Sequence, residues 1–435
     1  MSRTILVLAL LVVSAALPAR AEIGTIDNVP AATLLLPCFE VDLDDPLWHT
    51  TLFSINNSRP EPAIAHVTLW TDLSIPTLDF NVYLTGYDVV TFNLADLFGS
   101  GRLPATSHDD PAVSNVGDFS LVTSPVTGVG PGSTSCDTQL PLPNLPPSLL
   151  AHIRAAHTGK ASAQFGGQCS GVNHGDNLAR GYITIDNVNF CTLDFPGDTG
   201  YFIAGGQGAA NNENQLWGDY FFVSGTHNTA EGETLVHLEA SDALGAANYT
   251  FYRRYSGGAD QREGLGSTFA VRFATEGAFN SGSTLAVWRD SKRAQSPFAC
   301  GTLPPPFPLV HTQIVEFDEQ ENPAVDDPPP FSPPPAPDTF VPFPWEVNKV
   351  KPNSDNFPVG TSFGWFYLNL NVTVIGSQVP FGSLAQNWVS VNFTAGDRFS
   401  VGFDAINLDN VTDPAGAPSI ELPVCDGAPD PAGCS

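Results

Sequence analysis

The stretch AHVTLWTDLSIPTLDFNVYLTGYDV, from Ala65 to Val89, changes polarity at every second residue. That period belongs to a β-strand, whose successive side chains leave on opposite faces. Ala65, Val67 and Leu69 take one face, and Ile64, His66, Thr68 and Trp70 the other. TDLSIP turns the chain, with Pro76 halting the ladder because it has no N–H to donate. TLDFNVYL then sets Leu78, Phe80, Val82 and Leu84 on one face, TGYD turns again, and VVTFNLADLF follows as a further strand. With TTLFSINNS upstream, short strands at a spacing of about ten residues predict an antiparallel sandwich, and the alternation is core patterning.

The rest of the chain reads the same way. LPPSLLAHIRAAHTGK has prolines suited to a helix start, then Leu149, Leu150 and Ile153 on one side and Gly159 at its end, which predicts one short helix near 147–158. Strand-like segments return with RGYITIDNVNF, LWGDYFFVSG, ETLVHLEASD, YTFYRRY, STFAVRFATE and STLAVWRDS. The Pro-rich stretch Glu321–Glu346 predicts extended, polyproline-like chain, and FGWFYLNLNVTVIG and NWVSVNFTAGDRFSVGFDAIN resume the strands. The fold class expected is mainly β: antiparallel β-sandwich domains of immunoglobulin-like or jelly-roll-like kind, with one short helix and a Pro-rich extended segment. The expected division is a signal peptide at 1–21, an N-terminal sandwich at 22–125, a central β-rich domain at 126–320, a Pro-rich linker at 321–346 and strands at 347–435. Those last strands stand alone or complete the central domain.

MSRTILVLALLVVSAALPARA combines Arg3, an apolar run from Ile5 to Leu17 and the small-residue end Ala19-Arg20-Ala21. This is the pattern of a secretory signal, too short to span a membrane, so the chain is expected in the periplasm, on the cell surface or outside the cell. Cleavage after Ala21 removes Arg3 and Arg20 from the 17 basic residues, leaving 15 against 45 acids and a formal charge of −30. Such a surface repels phosphate backbones, which argues against nucleic acid as a partner. Seven cysteines in an exported chain are expected to pair. Cys425 and Cys434 bracket a turn-rich DGAPDPAG, and Cys136, Cys169, Cys191 and Cys300 supply two further bridges. Their connectivity is open, with Cys169–Cys191 the expected one. Cys38, inside the apolar run ATLLLPCFEV, is expected as a buried free thiol.

TTLFSINNS, AHVTLWTDLSIPTLDFNVYLTGYDV, LWGDYFFV, LVHLEAS, LAVWRDS and FSVGFDAINLD together resemble a group of exported bacterial proteins. The resemblance covers most of the mature chain. It implies a bacterial exported protein with at least one sandwich-like domain, and it brings no activity, cofactor or catalytic residue. It also implies an aromatic residue at the position of Cys38, a departure that supports leaving this thiol unpaired.

Three groups of residues have a pattern that chemistry can use. AEGETLVHLEASD, read as one strand, puts Glu233, Leu235, His237 and Glu239 on one face with His227 a turn upstream, a candidate metal or acid–base site. The competing reading is a wet strand face opposite Thr234, Val236, Leu238 and Ala240. DLDDP offers Asp42, Asp44 and Asp45 as oxygen ligands for a structural calcium ion, the one cofactor considered, or as solvated acids before a turn. VNHGDN places His174 beside Asp176 close to Cys169, but no nucleophile elbow accompanies them. The function expected is a non-catalytic binding or structural role at the cell envelope or surface, with a cell-surface, protein or carbohydrate ligand. A secreted hydrolase acting on polysaccharide or peptide is the alternative.

Overall fold

In a computed structural model, which describes residues 29–103, 123–125, 144–324, 341–371 and 385–408 apart from 47, 193, 226–227, 246–248 and 397, the chain is mainly antiparallel β-sheet. The first group of strands is β1 (Thr33–Asp42), β2 (His49–Asn57), β3 (Ala63–Thr71), β4 (Pro76–Leu84), β5 (Val89–Asn93), β6 (Thr123–Pro125), β7 (Leu178–Val188), β8 (Leu216–Trp217), β9 (Asp219–Ser224), β10 (Thr229–Thr234) and β11 (Val236–Leu238). They form a six-stranded sheet in the order β11-β1-β7-β3-β4-β6 and a five-stranded sheet β10-β9-β2-β5, with β8 also on β2. The second group is β12 (Thr268–Ala274), β13 (Ser283–Arg289), β14 (Gln313–Asp318), β15 (Pro323–Ala324), β16 (Val347–Val350), β17 (Phe363–Asn369), β18 (Asn387–Ala395), β19 (Phe399–Asp404) and β20 (Ile406–Asn407). Its sheets run β15-β14-β17-β12-β20 and β16-β13-β18-β19.

These pairings redraw the expected domains. The N-terminal sandwich does not close within 22–125, because β7 lies between β1 and β3 while β9 pairs with β2. The strands after 347 are not a separate unit either: β16 and β18 flank β13, and β17 joins β12 to β14. Alternation decides which face of a strand is apolar, not which strand lies beside it.

β1 shows why the two sandwiches stay together. TLLLPCFEVD is apolar at most positions rather than every second one, and all but its last residue are buried. One core runs from its neighbours Leu69, Phe80 and Ile185 through to Ala286, Trp288, Val347 and Trp388 of the second sandwich. The ladder of β1 with β7 slips between Leu36 and Phe39, so Pro37, which has no N–H to donate, sits at an irregularity where a central strand tolerates it. The polar face of β3 is buried as well: His66 and Thr68 are inaccessible, and Trp70 donates to Thr184 Oγ1 at 2.8 Å.

Helices are few and short. The expected one spans Pro147–His157, its imidazole at the end held between Thr77 (2.8 Å) and the Arg180 carbonyl (2.8 Å). VVTFNLADLF does not continue as strand: Asn93 Oδ1 accepts from the Ala95 amide, and a helix runs Leu94–Ser100 to Gly101 at φ 73°. YTFYRRY is not a strand either, because Arg253–Ser256 make one helical turn and Phe251 is buried against Trp288. Arg289 donates to the carbonyls of Leu309, Val310, Phe343 and Leu370, tying both flanks of the Pro-rich stretch to β13. No helix among the described residues is long and apolar enough to cross a membrane.

Candidate functional site

The sequence-predicted constellations come apart in the fold. ETLVHLEAS is not one strand: β10 pairs with β9 in one sheet and β11 with β1 in the other, so Glu233 and His237 share no face. The chain changes sheet at Leu235, whose amide bonds the Gly218 carbonyl and whose side chain enters the core. His237 is buried, accepts from the Gly218 amide at 3.4 Å, and is held below the usual histidine range by burial. The Glu239 amide donates to Glu263 Oε1, and Glu233 reaches instead toward β19, where a Cβ on Gly402 would come within 3.0 Å of its carboxylate. His227 lies outside the described residues.

Asp42, Asp44 and Asp45 do not converge on a point. Asp42 Oδ1 accepts from the Asp44 and Asp45 amides at 2.9 and 3.4 Å, and Asp44 Oδ1 accepts from Asn177 at 2.7 Å. They close a turn, and among the described residues no three His, Cys, Asp or Glu side chains are grouped to hold a metal ion. Cys169 pairs with Cys300, not with Cys191. Cys191 is itself disulfide-bonded, and Cys136, Cys425 and Cys434 lie outside the described residues. Cys38 is a free, buried thiol, pushed up to about 12 by burial and by the nearby Glu40. His174 is bonded to Asp72 at 2.9 Å rather than to Asp176, which forks onto Arg180. With Cys169 in a disulfide, no thiol nucleophile accompanies His174.

Titratable side chains converge elsewhere, in a cleft of 350 Å³ where the two sandwiches meet. β1 brings Glu40, β2 His49, and β9 and β10 bring Ser224, Thr229 and Glu231 from the first sandwich. β13, β16 and β18 bring Thr284, Lys349 and Thr394, with Ser281 and Lys351 beside them. Glu40 accepts from Lys349 Nζ at 2.9 Å and Arg180 Nε at 3.3 Å, and lies 3.1 Å from His49 Nε2. Burial alone would raise the Glu40 carboxyl, but Lys349, His49 and Arg180 outweigh it and hold it far below the ordinary carboxylate range. Lys349 also sits over the Phe222 ring at 4.4 Å. Burial pulls its ammonium down, and Glu40 more than restores it. Glu231 goes the other way, raised mainly by burial, with its Oε2 buried and unpartnered.

No family model, curated protein or solved structure matches this chain. What the cleft can do follows from its own side chains. Glu40 is a carboxylate clamped by three partners, too weak a base to take a proton near neutral pH. The hydroxyls of Ser224, Thr229, Ser281, Thr284 and Thr394 bond to no protein group among the described residues, and Lys351 stands exposed at the mouth. These groups form a wall of hydrogen-bonding positions from both sandwiches, with two lysines beside two carboxylates in an otherwise strongly acidic chain.

The walls are held in place by a second, buried cluster. Arg254, on the connection between the sandwiches, pairs with Glu346 at 2.7 Å and Asp290 at 3.2 Å, and donates to Ser74 and Tyr182 at 3.0 and 3.1 Å. Ser74 in turn bonds Glu346. Sequence reasoning missed the cleft, since its members come from seven strands. One signal was available: NKVK places two of the chain's four lysines, Lys349 and Lys351, on the same side of a strand.

Proposed function

We propose that this chain is an exported, non-catalytic binding protein of the cell envelope or surface, and that the cleft between its sandwiches takes a small polyhydroxylated ligand, a mono- or disaccharide. The observation that carries this reading is the convergence on one concave site of five hydroxyls that bond no group among the described residues. A site built to bind sugar needs polar groups left free by the fold, and a cavity of 350 Å³ lies within the range of small-ligand sites. The clamping of Glu40 speaks against hydrolysis, because a carboxylate whose charge is already neutralised by Lys349 and Arg180 is a poor nucleophile and a poor base.

Calorimetric titration with a panel of neutral and acidic mono- and disaccharides tests the proposal. Binding is expected, and Thr284→Val with Thr394→Val should weaken it about tenfold, since each lost hydrogen bond is worth roughly 0.5–1.5 kcal/mol. A panel in which no sugar binds overturns the reading. Cleavage of a chromogenic glycoside that disappears in Glu40→Gln would install the hydrolase in its place.

A further inference from the structure

The sheet β10-β9-β2-β5 turns one face to the core; on its other face Thr50, Ser54 and Asn56 of β2 are covered, while aromatic rings beside them stand exposed. On the outer face β2 and β9 align Thr50 with Val223 and Leu52 with Phe221, Ser54 bonds Asp219, and Asn56 faces Trp217 on β8. The Gly225 amide continues this ladder to the Trp48 carbonyl at 2.6 Å. Three aromatic rings therefore lie along one line: Trp217, 41 % exposed; Phe221, 44 %; and Trp48, 54 %. Each step covers four residues of strand, about 13 Å.

Two of these rings lie flat for a reason written in the sequence. A Cβ on Gly232 would come within 2.4 Å of the Phe221 ring, and one on Gly225 within 2.3 Å of the Trp48 indole. Glycine at these two sites lets each ring rest on the neighbouring strand and leaves its other face to solvent. Covering a glycine explains the inner faces of Phe221 and Trp48. It does not explain Trp217, nor the polar groups set between the rings. Ser54 donates to Asp219 at 2.7 Å, Asn56 to Ser54 at 3.0 Å, and Thr91 and Asn93 extend the same face on β5. A hollow of 710 Å³ opens beside Phe221, lined by Leu52, Thr91, Asn93 and Asp219 and by the ion pair Asp96–Arg102 among others. On a chain with 45 acids, Asp219 is the one carboxylate among these paired outer-face residues.

We infer that this face is a binding platform for an uncharged polysaccharide, independent of the cleft. The exposed ring faces stack on the apolar faces of sugar rings, while the exposed Thr91 and the half-buried Asp219 beside them meet the sugar hydroxyls. Thr91, Asn93 and Asp219, the polar side chains that reach the surface beside the rings, do not suit a lipid tail. The charges beside the rings, Asp219 and the Asp96–Arg102 ion pair, sum to −1, which offers little to an ionic partner. Rings this far apart cannot meet one monosaccharide, so the ligand is a chain.

Affinity electrophoresis through gels containing soluble β-glucan, xylan or galactomannan tests this, with polygalacturonate as the acidic comparison. At least one uncharged polymer should retard the protein more than polygalacturonate does. Trp217→Ala and Phe221→Ala should each raise the apparent dissociation constant at least tenfold, whereas Phe221→Tyr, which keeps the ring, should leave it within twofold. The cleft variant Thr284→Val/Thr394→Val should be retarded like the parent protein, which separates this platform from the sugar site proposed above. The inference is overturned if no uncharged polymer retards the protein, or if the ring-removing variants run like the parent with unchanged melting temperature. It is equally overturned if Phe221→Asp abolishes binding to phospholipid vesicles or a concentration-dependent self-association, which would assign the face to a membrane or to a second copy.

Discussion

Glu40 is buried among more positive than negative charge in a chain whose overall balance is strongly acidic. Its folded pKa lies below the unfolded value near 4.5, so its contribution to stability is present above that pH and is lost as pH falls through and below it. Glu40→Gln leaves Lys349 without its carboxylate and Arg180 with Asp176 alone, a loss of about 3 kcal/mol at pH 7, at the lower end because both cations keep some contact with water. Urea unfolding at pH 7 and pH 4 should show the variant less stable and less sensitive to acid; equal curves at pH 7 would remove the ion cluster from the account. Beside it, Cys38 is shielded rather than bonded. The native protein should resist alkylation, and unfolding without reductant should expose one reactive thiol that peptide mapping assigns to Cys38. Label at Cys136, Cys425 or Cys434 would show that those cysteines are not all paired.

Among the strands, β7 is closely enclosed. It lies between β1 and β3, and Gly181 is where the Trp70 carbonyl, His157 and Phe39 come together: a Cβ there would lie 2.1 Å from the Trp70 oxygen. Glycine lets the strand pass under the helix Pro147–His157, so His157 can bond both Thr77 and the Arg180 carbonyl as a neutral imidazole, which burial favours. Gly181→Ala should destabilise by about 2–3 kcal/mol, since the contact is with backbone that cannot move aside. Chemical denaturation reads this directly, and a change under 0.5 kcal/mol would mean that the strand and helix separate easily.

At the scale of the molecule, the sandwiches are joined by the β1 core, the Arg254 cluster and one covalent link. Cys169–Cys300 spans 131 residues, from the loop after the helix Pro147–His157 to the segment before β14. In the chain-entropy model a loop of that length stabilises by about 5 kcal/mol. Replacing both cysteines by Ala should lower stability by roughly 2–5 kcal/mol, less than the full value because the core and the ion cluster still restrain the same segments. A melting temperature unchanged by the double replacement would make the bridge incidental. The proposed export would bear on this bond too, since disulfides persist in oxidising compartments. N-terminal sequencing of secreted material should begin at Glu22, and material beginning at Met1 would remove the signal peptide from the proposal.

How much could be read from the chain alone follows from the range of each interaction. The strand periods at 63–71 and 76–84, the helix near 147–157 and the antiparallel β class depend on residues a few positions apart, and they are legible in the sequence. VVTFNLADLF and YTFYRRY misled because a cap at Asn93 and a turn at Arg253 overrode a short alternation. Strand neighbours, the Cys169–Cys300 pairing and the cleft depend on which distant segments meet. β7 enters between β1 and β3 across a gap of more than a hundred residues, and no local pattern encodes that. The same holds for Glu40 and Lys349, one an acid in an apolar run and the other a lysine after a Pro-rich stretch, until folding sets them 2.9 Å apart. Local sequence decided what each segment would become; the burial of β1 on both faces decided what the segments would build together.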